Sequence, residues 1–170
     1  LTYAEIPYEV VYDTEVLQGK LSEYDWLHLH HEDFTGQFGK FYASYSGQPW
    51  YKKHVQLMET LAQQNGFDKV SQLKLAVAKK ISEYVAGGGF MFAMCSATDT
   101  YDIALAADGV DICAEMFDGD AADPNAQSKL DFTKTFAFTD FQIERNPLRY
   151  EHSTIDATDS RRVIPEQDYF

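Results

Sequence analysis

The stretch that decides the fold covers residues 87–99 and reads Gly-Gly-Gly-Phe-Met-Phe-Ala-Met-Cys-Ser-Ala-Thr-Asp. Three glycines end one element, and the apolar run Phe90–Met94 has the length of a strand that is buried on both faces. Cys95 comes next, and Ser96 begins a group of residues that commonly start helices. A strand, a sharp turn and a helix in this order predict a nucleophile elbow with a thiol at the turn.

Cys95 therefore has two interpretations. Ala93 and Ala97 supply the small flanking positions that a sharp turn needs, and the amides at the start of the next helix favour a thiolate and hold an oxyanion. These amides begin with that of Ser96, which we expect to contact the oxyanion. The alternative is an inert core residue, because free cysteine is often buried and packs as a small hydrophobe.

Composition narrows the classes of protein and partner. The chain has 170 residues and is 45% hydrophobic, which fits one domain over residues 1–170. Its formal net charge of −13 repels phosphate groups, so we expect neither nucleic acid nor an anionic membrane as a partner. No apolar run approaches the roughly 18 residues that span a bilayer. No adenylate-binding motif is present, and we expect no cofactor.

Helix and strand patterns alternate along the chain. Strands are predicted at residues 8–12, 24–31, 90–94 and 132–144, helices at 51–64, 71–86 and 97–107, and an aromatic-rich loop at 36–50. Short buried strands between helices indicate an α/β protein with a parallel sheet flanked by helices. In such sheets the functional groups lie at the carboxyl ends of the strands. Two of these ends carry chemistry, at residues 28–33 and at Cys95.

Histidines and acids cluster at the end of the second predicted strand, as His28, His30, His31, Glu32 and Asp33. We interpret His31 and Glu32 as catalytic candidates that activate or orient the Cys95 thiolate, with His30 and the distant His152 as further candidates for the acid/base. The same cluster offers nitrogen and oxygen ligands for zinc or iron, but no further ligand follows at a recognisable spacing, so no metal ligand is assigned. The alternative for each imidazole is a hydrogen bond to nearby backbone or to solvent.

Three motifs, at residues 24–37, 87–99 and 101–107, are similar to a family of Bacteroidetes proteins labelled "asparagine synthetase B". That family resembles the class I glutamine amidotransferases and the ThuA-like domains. The resemblance implies a flavodoxin-like fold, with Cys95 as the elbow nucleophile and residues 30–33 as the loop that contacts the oxyanion. It also implies that the 170 residues are an incomplete slice of the domain, and that the remainder of its own chain completes the sheet.

The resemblance further implies an export signal in the family, hence the periplasm or cell envelope, with the cytoplasm as the alternative. Three functions follow. The first is a cysteine hydrolase of C–N amide bonds that acts on a small-molecule amide. The second is a noncatalytic binding or assembly module with a protein partner in the cell envelope. The third is a metal-assisted hydrolase that uses His30, His31 and Glu32.

Overall fold

The protein's structure is a computed structural model that describes residues 5–157. Along this part of the chain the elements follow in the order α1 (Asp13–Leu17), β1 (Trp26–His30), α2 (Tyr42–Tyr45), α3 (Pro49–Gln64), α4 (Val70–Ala86), β2 (Phe90–Met94), α5 (Ser96–Ala106), α6 (Glu115–Asp118) and α7 (Ala126–Lys129). The described residues also form 3₁₀ turns at Lys20–Glu23, Phe38–Lys40 and Phe132–Lys134. The predicted α/β class is confirmed. The flavodoxin-like arrangement remains a prediction.

The two strands pair in parallel, as predicted. The register runs from Trp26 opposite Phe90 to His30 opposite Met94. The connection between parallel strands must cross from one end of the sheet to the other, and here it contains α3 and α4. Both strands end at one edge of the sheet, so the residues that follow them, His31 and Cys95, leave the sheet side by side.

Helix α4 forms the centre of the main core. Its residues Leu73, Val77 and Ile81 recur with helical spacing and are almost completely buried. The helix packs against α1, α3 and α5, while α5 also contacts both strands. This packing fixes the start of α5, and with it Cys95, against the end of β1.

Two predicted strands are wrong. Residues 8–12 do not join the sheet, and the Glu9 carboxylate is held by Lys20 and Tyr24 instead. Residues 132–144 begin with a 3₁₀ turn and continue as loop, apart from an isolated antiparallel bridge between Ile143 and Ser153. Three consecutive backbone N–H groups there, at residues 136–138, donate to the buried Asp102 carboxylate at 2.6–2.8 Å, so they are not available to a strand ladder. The predicted loop at 36–50 is also partly helical, since it contains α2 and the start of α3.

The sheet has one covered and one open face. Alternate strand residues, Leu27 and Leu29 in β1 and Met91 and Ala93 in β2, pack towards the helices. The opposite face is exposed and carries Trp26, His28, His30, Phe90, Phe92 and Met94. Within residues 5–157, no helix is both long enough and apolar enough to cross a membrane.

Candidate functional site

The backbone of Cys95 adopts a conformation that L-residues rarely take. Its φ is 55° and its ψ is −135°, directly between β2 and α5. A side chain at positive φ meets steric resistance from the backbone, and such strain is concentrated at functional sites. The thiol is exposed, whereas Cys113 is buried. The predicted strand, sharp turn and helix are therefore present, and Cys95 is not packed in the core as the alternative expected.

Helix α5 directs its amino terminus to the Cys95 position. Cys95 is the N-cap residue, and its carbonyl oxygen accepts the N–H of Thr98 at 3.0 Å. No side chain caps this end of the helix. The first N–H groups of a helix lack partners within the helix, and that of Ser96 stands next to the thiol in the chain. This end of the helix therefore favours negative charge beside the sulfur.

His31 occupies the position equivalent to Cys95 at the end of the other strand. Parallel strands lie about 4.8 Å apart, and His31 follows the last residue pair of the sheet, His30 with Met94. His31 also has a positive φ, 65°, and it is exposed. Its ring lies against that of His30, with the centroids 3.9 Å apart. Two left-handed residues thus stand together at the carboxyl edge, one with a thiol and one with an imidazole.

A third group reaches the thiol from the carboxyl-terminal part of the described chain. The Tyr150 hydroxyl faces the Cys95 thiol, and burial together with that thiol raises the pKa of Tyr150. The Tyr150 ring also lies against Phe41, with the centroids 6.0 Å apart. A phenol next to the sulfur provides a hydrogen-bond donor at the elbow.

Buried Lys40 anchors the segment that carries Tyr150. Its ammonium group donates to the carbonyl oxygens of Glu144 at 2.7 Å and of Glu151 at 2.8 Å. Burial lowers the pKa of Lys40 to about 8, although neighbouring carboxylates oppose this shift. Within the segment, the N–H of Glu144 donates to the carbonyl oxygen of His152 at 2.8 Å. Tyr150 is therefore held in a loop that is closed on itself and bound to the β1 side.

Residues 31–40, here called the β1-exit loop, are fixed on several sides. The Asp33 carboxylate accepts the N–H of Thr35 and the N–H of Gly39, each at 2.7 Å. Gly36 has φ 81°, and a Cβ there would lie 2.7 Å from the Ser71 nitrogen. The buried Cys113 thiol donates to the Thr35 carbonyl at 3.1 Å. Any side chain larger than hydrogen at position 36 would push the loop away from α4.

His152 lies in the interior beneath this loop. Its Nε2 is 3.5 Å from Asp33 Oδ2, which is too long for a well-formed hydrogen bond. Burial favours the neutral form of Asp33, but the His152 charge and the hydrogen bonds from Thr35 and Gly39 outweigh it and lower the Asp33 pKa. Asp99 in α5 is a second buried acid near His152, and its burial raises its pKa. His152 thus stands between two carboxyl groups rather than at the surface.

Glu32 is one of the residues that line a cavity beside the β1-exit loop. The cavity has a volume of about 400 Å³ and is lined by the β1-exit loop, α3 and α4. Burial raises the pKa of Glu32, and within residues 5–157 its Oε2 atom is buried without a hydrogen-bond partner. The Thr100 hydroxyl bridges the Glu32 carbonyl, at 3.1 Å, and the Ser96 carbonyl, at 2.6 Å. Glu32 is therefore tied to the residue that follows Cys95.

A group of side chains with the spacing of metal ligands lies away from the histidine cluster that follows β1. Among the described residues, a group with ligand atoms close enough for one metal ion is formed by Asp111, Cys113 and Asp118. The Lys69 ammonium already lies 2.8 Å from Asp111 and 3.0 Å from Asp118, so a cation occupies that position. His30, His31 and Glu32 do not form such a group within residues 5–157.

Sequence reasoning found Cys95, His31 and Glu32 but missed Tyr150 and Lys40. The structure brings Cys95 and His31 to one edge, with Tyr150 facing the thiol, and places Glu32 in the adjacent cavity. Neither missed residue stands in a motif. Each lies 55 positions from Cys95 in the chain, Lys40 before it and Tyr150 after it. Tyr150 could have been predicted only by assuming that residues near position 150 pack against the turn at Cys95. No protein-family model, curated protein or solved structure matches the chain.

Proposed function

We propose that this protein is a glutamine amidotransferase-like cysteine hydrolase that cleaves C–N amide bonds with Cys95 as the nucleophile. The observation that carries the proposal is the Cys95 backbone, at φ 55° and ψ −135°, with an exposed thiol at the start of α5. Strain of this kind costs about 1–3 kcal/mol and persists where a function requires it.

The reaction proceeds in two steps. The Cys95 sulfur attacks the amide carbonyl carbon and forms a C–S bond, while an electron pair moves to the carbonyl oxygen, which accepts the Ser96 N–H. Collapse of this intermediate breaks the C–N bond, and the leaving nitrogen takes a proton. Water then attacks the thioester, which regenerates the thiol and releases a carboxylic acid.

Proton transfer is assigned to the exposed groups at the same edge. His31 serves as the acid/base because it leaves the sheet next to Cys95, and Tyr150 supplies a hydroxyl that faces the sulfur. His30 supports the His31 ring by contact. His152 is buried between two acids and is assigned a positioning role, while Glu32 is assigned to substrate contact.

The proposed hydrolase activity agrees with the resemblance to the family labelled "asparagine synthetase B". It also agrees with the flavodoxin-like sheet that this resemblance implies. A small-molecule amide is then the substrate, and the periplasm or cell envelope is the location, with the cytoplasm as the alternative.

A noncatalytic binding or cell-envelope assembly module is the second candidate. It is favoured by the exposed apolar residues on the open sheet face. It is also favoured by Cys95, whose thiol forms no hydrogen bond with a histidine within residues 5–157. Catalytic hydrogen bonds often tighten only in the substrate complex, so this observation does not displace the first candidate.

The test is the rate of alkylation of Cys95 by iodoacetamide near neutral pH, followed by mass spectrometry of the intact protein. We expect Cys95 to react at least about ten-fold faster than the same thiol in the urea-unfolded chain, because the turn presents the exposed sulfur at the amino terminus of α5. Cys113→Ala is the matched control and keeps the fast reaction, whereas His31→Ala slows it. A folded-state rate equal to or below the unfolded rate would contradict the hydrolase and favour the binding module.

A further inference from the structure

The open face of the sheet brings two imidazoles and one thioether together. His28 and His30 lie on this face two positions apart in β1, and Met94 is the register partner of His30 in β2. His28 Nε2 lies 3.3 Å from Met94 Sδ, and the ring centroids of His28 and His30 are 6.2 Å apart. All three residues are exposed, so a solute reaches this cluster directly from solvent.

These separations match those between ligands on one metal ion. Bonds of about 2.0 Å to nitrogen and about 2.3 Å to sulfur that meet near the tetrahedral angle place the two ligand atoms about 3.3–3.5 Å apart. The distance from His28 Nε2 to Met94 Sδ lies in this range. Two imidazoles on the same ion have ring centroids up to about 6 Å apart, so His30 is within reach as a third ligand. Binding requires the neutral His28 tautomer with its proton on Nδ1, which leaves Nε2 free to coordinate.

Aromatic neighbours hold the His28 ring in place. The Trp26 ring stacks on it with the centroids 6.2 Å apart, and the Phe92 ring meets it edge to face at 5.4 Å. Phe92 is also the register partner of His28 in β2. A side chain that is already held by its neighbours loses little freedom on binding, and nearby aromatic rings attract a cation. The surroundings of His28 therefore favour a bound metal ion.

The kinds of ligand select the kind of metal. A thioether is a soft ligand that favours Cu(I), and imidazole also binds copper. Within residues 5–157, no third imidazole, thiol or carboxylate joins His28 and His30 at metal-ligand spacing, so the four nitrogen, thiolate or oxygen ligands of a structural zinc site are not assembled there. The formal net charge of −13 adds long-range attraction for a cation.

We propose that His28, His30 and Met94 form a binding site for Cu(I). The ion is held by His28 Nε2, by the Met94 sulfur and by a ring nitrogen of His30, and it keeps its oxidation state on binding. The site goes beyond the proposed hydrolase and does not rest on it, because the Cys95 thiol is not one of the three ligands.

The experiment titrates the Cys95→Ala protein with Cu(I) in the absence of oxygen, with bicinchoninate as a coloured competitor. The substitution removes an exposed thiol that would bind Cu(I) itself, and Cys113 is buried. We expect one Cu(I) per chain, and an affinity at least about ten-fold weaker after Met94→Leu, which keeps the side-chain volume and removes the sulfur. Met116→Leu is the matched control, since both methionines are 39% exposed, and it should bind as tightly as the parent.

A second measurement guards against a rearrangement in the Met94→Leu protein. Ag(I), a redox-inert probe of the same soft character, is added to the Cys95→Ala protein with isotope-labelled methionine methyl groups. We expect the methyl resonance of Met94 to shift with one equivalent while that of Met116 stays in place, and His28→Gln to suppress the shift. An unmoved Met94 resonance, or equal Cu(I) affinities of Met94→Leu and Met116→Leu, would overturn the site. Neither result bears on the hydrolase, because its nucleophile is absent throughout.

Discussion

The backbone of Cys95 is strained at the position of the proposed nucleophile. At φ 55° its Cβ is crowded by the backbone. His31, at φ 65°, repeats the feature on the neighbouring strand. Both residues are exposed, so neither conformation is explained by burial of an apolar side chain. The strain is offset by the packing of β2 and α5 on either side of the turn.

Replacing Cys95 by glycine should reverse the usual stability order of glycine and alanine. Glycine adopts positive φ without a steric penalty, so we expect Cys95→Gly to be about 1 kcal/mol more stable than Cys95→Ala. Urea denaturation gives both free energies of unfolding. Ala93→Gly, two residues earlier in the paired strand, is the control and should destabilise. If the glycine variant at position 95 is the weaker one, the turn is not strained.

At the scale of elements, the β1-exit loop is built around one carboxylate. The tripeptide Asp-Phe-Thr occurs twice in the chain, at residues 33–35 and 131–133, and each aspartate accepts the N–H and the hydroxyl of its threonine. Only Asp33 is also bound by Gly39 and approached by His152. The same local motif is thus a surface turn in one place and the anchor of the candidate site in the other.

Asp33→Asn should therefore destabilise the protein by about 2–3 kcal/mol at neutral pH, as expected for a buried hydrogen-bonded carboxylate. Because the native pKa of Asp33 lies below its usual value of 3.8, the unfolded chain takes up the proton first as the pH falls. The ionised Asp33 carboxylate contributes its full stabilisation above pH 3.8, the ordinary pKa that it has in the unfolded chain. This stabilisation is lost as the pH falls from 3.8 towards the lower pKa of Asp33 in the folded protein.

The pH dependence of urea unfolding checks this expectation. The difference between the wild type and Asp33→Asn should shrink as the pH is lowered below about 4. Asp131→Asn is the matched control, since its carboxylate makes the same local bonds at the surface, and it should have a much smaller effect. A difference that is independent of pH would show that the charge of Asp33 does not stabilise the loop.

For the whole molecule, the open sheet face is the most unusual surface feature. Trp26, Phe90 and Phe92 are 47%, 60% and 45% exposed and lie next to one another on the two strands. Single exposed apolar residues are common, but contiguous aromatic patches mark surfaces that interact. The net charge of −13 opposes association of two copies through this face at low salt.

The open face should bind a hydrophobic dye in the folded protein. We expect the fluorescence of anilinonaphthalene sulfonate to rise on mixing, and Phe92→Thr to reduce it markedly while it preserves strand propensity. Leu148→Thr removes an isolated exposed residue and should change little. Equal fluorescence from both variants would mean that the dye reports on some other surface.

Local patterns accounted for much of the fold. The spacing of the apolar residues predicts the helix at 71–86, and the short apolar run after three glycines predicts the strand Phe90–Met94, and both elements are present. The strands at 8–12 and 132–144 were not formed, since a strand also needs a partner edge. The backbone N–H groups of residues 136–138 donate to the Asp102 carboxylate instead of to a neighbouring strand. No periodicity in the sequence predicts such a contact.

The sequence by itself determined the strand, the turn and the helix around Cys95, because the glycines, the short apolar run and the small flanking residues act within a few positions of one another. It also indicated that His31 and Glu32 end a neighbouring strand. Only the tertiary structure decided that Tyr150 faces the thiol, that Lys40 holds its loop and that Glu32 Oε2 is buried without a donor among the described residues. These contacts join residues far apart in the chain, and their energies depend on burial and packing that no local pattern encodes.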